Sequence, residues 1–108
     1  MSDGELEDAK RKWVEACQTG DVGLWWVARD VRELMPQASE DDVRRVTLSA
    51  LRPLLAESKL RAVSMQPSGG FDVWRGSVDE QLARIDAEWR DLARPPDLGD
   101  VVWFIGER

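Results

Sequence analysis

Few side chains in this sequence have the types and spacing that catalysis requires. Asp41 and Asp42 are adjacent carboxylates, but they follow Ser39 at positions where acidic residues stabilise the start of a helix. Asp97 and Asp100 flank a glycine in a predicted turn, and two carboxylates without a third ligand make only a weak cation site. We therefore interpret both pairs as structural and expect no metal site.

The other candidates for chemistry are a glycine-containing segment and a single thiol. Segment 68–70 reads Ser-Gly-Gly, but it lacks the lysine and the following helix of a phosphate-binding loop. Cys17 belongs to an apolar stripe at helical spacing, which favours a small core residue. The chain has no histidine, and this excludes Ser-His and Cys-His catalysis and histidine metal ligands. The sequence predicts a protein that is not an enzyme and binds no cofactor.

Length and composition predict one domain, 1–108, in a reducing compartment. The chain has 108 residues with 21 acids and 15 bases, for a net charge of -6. This length is enough for one hydrophobic core. Its one cysteine cannot form a disulfide within the chain, and no apolar run approaches the ~18–20 residues that a transmembrane helix needs. The acidic N-terminus is unlike a signal peptide, so we expect a cytoplasmic protein that does not contact membranes.

Capping residues and apolar periodicity predict three helices in the first half. Ser2 has capping-box spacing to an acid, Asp21 precedes a regular apolar stripe that ends at Pro36, and Ser39 begins the third helix. The third helix is apolar over more than half its circumference, which predicts contacts on two sides. Pro53 is expected to kink or restart it.

The second half alternates short strand-like runs with one helix. Segments 60–65 and 71–74 predict a hairpin, 77–92 a capped helix, and 101–105 a final strand. The predicted fold class is therefore α+β: three helices, a β-hairpin, a further helix and a strand that completes a small antiparallel sheet. Three helices followed by a hairpin is the order of a winged helix.

Three motifs resemble a group of small bacterial proteins for which no activity is established. They are GGFxxW at 69–74, IxxEWxxL at 85–92 and PxxGDVVWF at 96–104. The resemblance extends from Leu24 to the C-terminus. It implies a compact α+β fold and transfers no catalytic residue to this chain.

The winged-helix order makes DNA binding an alternative function. The third helix carries Arg44, Arg45 and Arg52 on its predicted outer face, where they could contact phosphates or guanines. However, its first turn is acidic and would face the phosphates. When the chain is divided into segments 1–57, 58–76 and 77–108, only segment 58–76 has a positive net charge. Nucleic acid is therefore an unlikely partner.

Binding to another protein fits the sequence better. On helix 21–35, Trp26 lies opposite the apolar stripe, where an exposed indole would be an anchor for a partner. The alternative is that Trp26 packs beneath the C-terminal helix or strand. The predicted partner-binding residues are Val22, Trp25, Trp26, Glu33, Glu40 and Asp41.

The acidic excess indicates a basic partner, because charge complementarity accelerates encounter. Small acidic bacterial proteins without catalytic residues are often inhibitors of basic toxins. The most concrete expectation is an immunity or antitoxin-type inhibitor that occludes a basic toxin. A winged-helix transcriptional regulator is the alternative, and the sequence leaves the oligomeric state open.

Overall fold

The computed structural model describes residues 2–106, so that Met1 and 107–108 of the predicted domain lie outside the described residues. The described part has four helices and four strands. Their order is α1 (Asp3–Thr19), β1 (Asp21–Gly23), α2 (Leu24–Leu34), α3 (Glu40–Ala56), β2 (Arg61–Met65), β3 (Phe71–Val73), α4 (Val78–Leu92) and β4 (Trp103–Ile105). The α+β class is confirmed.

Serine caps begin three of the helices, as the sequence predicts. Ser2 and Ser77 each form a full capping box with a glutamate three residues later. Ser39 accepts a hydrogen bond from the backbone N–H of Asp42. Each cap satisfies donors that the first helical turn would otherwise leave unpaired.

The predicted order of elements is wrong at residues 21–23. Asp21 does not cap α2, because Asp21–Gly23 is a strand. The N-cap residue of α2 is Gly23, and no side chain forms a capping hydrogen bond there. β1 pairs antiparallel with β4, which joins Val22 to Phe104. A three-residue strand carries no periodicity of its own, so only this distant pairing reveals it.

The sheet has the strand order β1-β4-β2-β3, with antiparallel pairing throughout. β2 and β3 form the predicted hairpin, and β4 lies between β1 and β2. β4 is shorter than predicted because Val101 has a φ of 68° and the N–H of Val102 bonds back to the Asp100 carbonyl. This γ-turn reverses the chain just before the strand.

The main core lies between the helices and one face of the sheet. α3 contacts α1, α2 and α4, which confirms its central position. It runs through Pro53 to Ala56, so the predicted restart at Pro53 is wrong. Trp13, Cys17 and Trp89 are buried, as their stripes predict. Within residues 2–106 no helix is both long and apolar enough to cross a bilayer.

Candidate protein-binding face

The two faces of the sheet have different surroundings. Directly opposed residues of antiparallel strands point to the same side. Val22, Phe104 and Ala62 oppose one another on the side that joins the main core, and all are buried. We call the opposite side the outer face.

The outer face is apolar and partly open to solvent. Its central row runs across the four strands through Gly23, Trp103, Val63 and Val73. Val63 is fully buried but is not part of the main core cluster, so it belongs to this second apolar layer. Val73 is 49% exposed, and the pair beside it, Met65 and Phe71, are 41% and 39% exposed. Three of the four exposed large apolar side chains in the described part therefore lie on this face.

Trp25 lies at the margin of the outer face. A Cβ at Gly23 would come within 2.5 Å of Trp25 Cδ1 and 3.3 Å of Trp103 Cζ3. Both indoles therefore border the space above Gly23, which only glycine leaves free. Because Cβ–carbon distances below about 3 Å do not persist, a side chain at Gly23 would displace Trp25.

Arg29 connects Trp25 to its neighbour Trp26. Its guanidinium carbon lies 5.2 Å from the Trp25 ring centroid and 5.9 Å from that of Trp26. Both tryptophans are half-buried, and the buried indole N–H of each has no hydrogen-bond partner within residues 2–106. Unpaired buried donors cost free energy, so these indoles are held by packing and cation–π contact.

The predicted partner-binding residues differ in their burial and contacts. Val22 is 1% exposed in β1 and faces the core, so it is unable to contact a partner. Trp26 packs against the main core as a half-buried residue, which agrees with the alternative of packing rather than full exposure. Trp25 borders the outer face, whereas Glu33 is exposed near the end of α2.

Glu40 and Asp41 have contacts within the fold. Glu40 accepts hydrogen bonds from Arg32 at 3.0 Å and from the buried Trp89 indole at 3.0 Å. Asp41 bonds Arg44 at 2.7 Å, and this contact lowers the pKa of the Asp41 carboxyl below its usual range. Arg44 also bonds Asp86 of α4 at 2.8 Å. Glu40 therefore joins α3 to α2 and α4, whereas Asp41 pairs within α3.

The arginines of α3 are paired with acids. Besides Arg44, Arg45 bonds Asp42 in the same helix, and Arg52 bonds Asp79 at the start of α4. α4 packs beside α3, so carboxylates lie where a winged helix would place DNA phosphates.

Sequence reasoning missed the outer face. The signal was present in segment 101–105, where Trp103 and Ile105 alternate with Val102 and Phe104. A strand that is apolar on both sides needs cover on both sides. Recognising it required knowledge of which elements cover each side of the strand.

The acidic and thiol side chains of the described residues form no metal-binding cluster. Among residues 2–106, no three His, Cys, Asp or Glu side chains are arranged to hold a metal ion. Comparison with protein-family models, with curated proteins and with solved structures found no match.

Proposed function

We propose that the protein is a non-enzymatic protein-binding module whose contact surface is the outer face of the sheet. The observation that carries the proposal is the clustering of Met65, Phe71 and Val73 beside Trp103. Isolated exposed apolar residues are common on proteins, whereas a contiguous apolar patch with aromatic residues is typical of a protein contact.

In its most concrete form, the module is an immunity or antitoxin-type inhibitor that occludes a basic toxin. The net charge of -6 supports this form, because it would steer a cationic partner towards the protein. The winged-helix regulator is less favoured, since its presumed reading helix has its arginines paired with carboxylates.

The test is affinity capture from the source cells with matched surface variants. The double variant Phe71→Ser/Val73→Thr makes the outer face more polar at two exposed positions. Leu98→Ser is the control, because Leu98 is 69% exposed in the loop before β4 and lies outside the sheet. We expect partners retained by the wild type and the control to be lost from the double variant.

The inhibitor form has its own readout. A captured partner should be basic, and its activity should be blocked by the wild type and by Leu98→Ser but not by the double variant. If the double variant retains every partner of the wild type, the outer face is not the contact surface. A captured acidic partner would refute the basic-toxin form alone.

A further inference from the structure

The two edges of the sheet are protected to different extents. β1, at one edge, packs against α1, and its three residues are partly or fully buried. β3, at the other edge, has three exposed residues. An uncovered strand edge presents unpaired backbone groups and is a template for another strand.

The hydrogen-bond register shows which backbone groups β3 presents. Trp74 donates its backbone N–H to the carbonyl of Ala62 at 2.9 Å, and Gln66 donates to Gly70 at 2.8 Å. Hydrogen-bonded and non-bonded pairs alternate along an antiparallel ladder. Phe71 and Val73 are in non-bonded pairs with β2, so their N–H and C=O groups point to the free edge.

Cations lie beside this edge, although the chain as a whole is acidic. A hollow of about 650 Å³ is lined by β3 together with Trp74, Arg75 and Arg84. Its one carboxylate, Asp72 of β3, accepts a hydrogen bond from the Gln66 amide at 2.7 Å. Arg84 stacks on the Trp74 ring at 3.7 Å and uses its Nε to bond Glu88. Arg75 has no ion pair with any residue from 2 to 106. A carboxylate brought to this hollow would therefore meet Arg75 and the remaining N–H groups of Arg84.

We propose that the edge of β3 binds an extended segment of a partner protein by strand addition, with an acidic side chain directed to Arg75 and Arg84. The inference rests on the proposed protein-binding function and specifies how the partner is held. In antiparallel register, the added strand places apolar residues opposite Phe71 and Val73, which continues the outer face. A neutral residue lies opposite Asp72 and an acid opposite Trp74, next to the hollow.

A second copy of the chain fits this edge less well. The symmetric pairing centred on Asp72 opposes Phe71 to Val73 of the other copy and Asp72 to its own equivalent. The symmetric pairing centred on Val73 brings Asp72 opposite Trp74 of the other copy, but it places Arg75 rather than an apolar residue opposite Phe71. Like charges directly across a strand pair are destabilising, and each copy has a net charge of -6. Charge complementarity therefore favours a different, acidic segment, even where the partner's average charge is positive.

The test uses a synthetic probe whose register is fixed by design. The peptide SGEVTVTGS, labelled at its N-terminus with fluorescein, offers glutamate opposite Trp74 and valines opposite Val73 and Phe71. We expect fluorescence anisotropy to give a dissociation constant on the order of 100 µM, since the edge is short. The charge-reversed probe SGKVTVTGS should bind at least ~5-fold more weakly, and NMR shifts should concentrate on residues 61–75.

Two matched pairs of protein variants test the contacts separately. Val73→Pro removes the N–H that points to the free edge and breaks no hydrogen bond between β3 and β2, whereas Val73→Ala shortens the side chain alone. We expect the probe to bind about 10-fold more weakly to the proline variant than to the alanine variant. Arg75→Glu should weaken binding ~5-fold, whereas Arg11→Glu makes the same charge change on α1 and should have no effect. A probe with N-methylvaline opposite Val73 removes the reciprocal hydrogen bond, from the probe N–H to the Val73 carbonyl, without altering the protein.

Four results with the probes or the isolated protein would overturn the proposal. The first is that the lysine probe binds as tightly as the glutamate probe, and the second is that the N-methylated probe binds as tightly as the unmodified one. The third is that no probe binds at millimolar concentration. The fourth is that sedimentation shows a dimer of the wild type that Val73→Pro dissociates. The last would assign the edge to a second copy. If a captured partner needs the side chains of Phe71 and Val73 but not the N–H of Val73, strand addition is wrong and the proposed binding face stands.

Discussion

Replacing Asp30 by alanine is expected to destabilise the fold more than any surface charge substitution. Asp30 is 5% exposed in α2, and its carboxylate accepts a hydrogen bond of 2.9 Å from the indole of Trp13 in α1. Lys12 Nζ lies 3.0 Å from the same carboxylate. Trp13 is fully buried, so its N–H is not exposed to solvent in the folded chain.

The magnitude follows from the groups left without partners. Asp30→Ala leaves the buried Trp13 N–H unsatisfied, which costs about 1–3 kcal/mol, and removes a hydrogen bond to a charged group. We therefore expect the free energy of unfolding to fall by roughly 2–4 kcal/mol. Asp30→Asn keeps an acceptor oxygen and should cost about half as much. Asp8→Ala is the control: its pair with Arg11 is also 2.9 Å long but exposed, and should contribute less than about 0.5 kcal/mol.

A double-mutant cycle in urea isolates the contact. Asp30→Ala and Trp13→Phe are made singly and together, and the coupling energy between them should be about 1.5–3 kcal/mol. A coupling below about 0.5 kcal/mol would refute the reasoning, because the indole and carboxylate would then contribute independently. A loss as large for Asp8→Ala would show that burial is not the cause.

The remaining predictions concern the core, the loop before β4 and nucleic acid. Trp89→Ala should lower the free energy of unfolding by about 3–5 kcal/mol in chemical denaturation, because the indole is buried and bonds Glu40; a loss below about 1 kcal/mol would contradict this. Trp26→Ala should cost an intermediate ~1–3 kcal/mol, and a thermal midpoint within about 2 °C of the wild type would instead support a freely exposed indole. The hydrogen bond from Arg94 holds the pKa of the Asp100 carboxyl below its usual range. The ionised carboxylate therefore stabilises the fold above about pH 4, and this contribution is lost as the pH falls through the lowered pKa. The difference in melting temperature between Asp100→Asn and the wild type should accordingly disappear in acid. Random duplex DNA should show no salt-sensitive mobility shift at micromolar protein, and such a shift would favour the regulator.

Local chemistry made most of the helices predictable. Ser2, Ser39 and Ser77 are side-chain caps, and each is followed by an apolar stripe of helical period. The hairpin also followed from its own residues, since the two strand-like runs are adjacent in sequence. These features depend on neighbours within a few residues, and so they are readable without the fold.

The candidate site depended on contacts between distant segments. Glu40 was predicted as a contact residue from its charge, but Arg32 of α2 and Trp89 of α4 bond its carboxylate in the folded chain. Sequence gives the charge of a side chain and not whether an arginine from another helix reaches it. The sequence therefore did not show that Glu40 has partners within the fold.

The sequence by itself determined the α+β class, the capped helices and the buried faces of α3 and α4, because helical period and capping are local properties. Only the tertiary structure decided that residues 21–23 form a strand and that β4 lies between β1 and β2. That insertion places Trp103 between Gly23 and Val63 and leaves β3 at an uncovered edge. Strand order is set by pairings between segments far apart in the chain, and it alone decides which apolar residues share a face and which backbone groups remain unpaired.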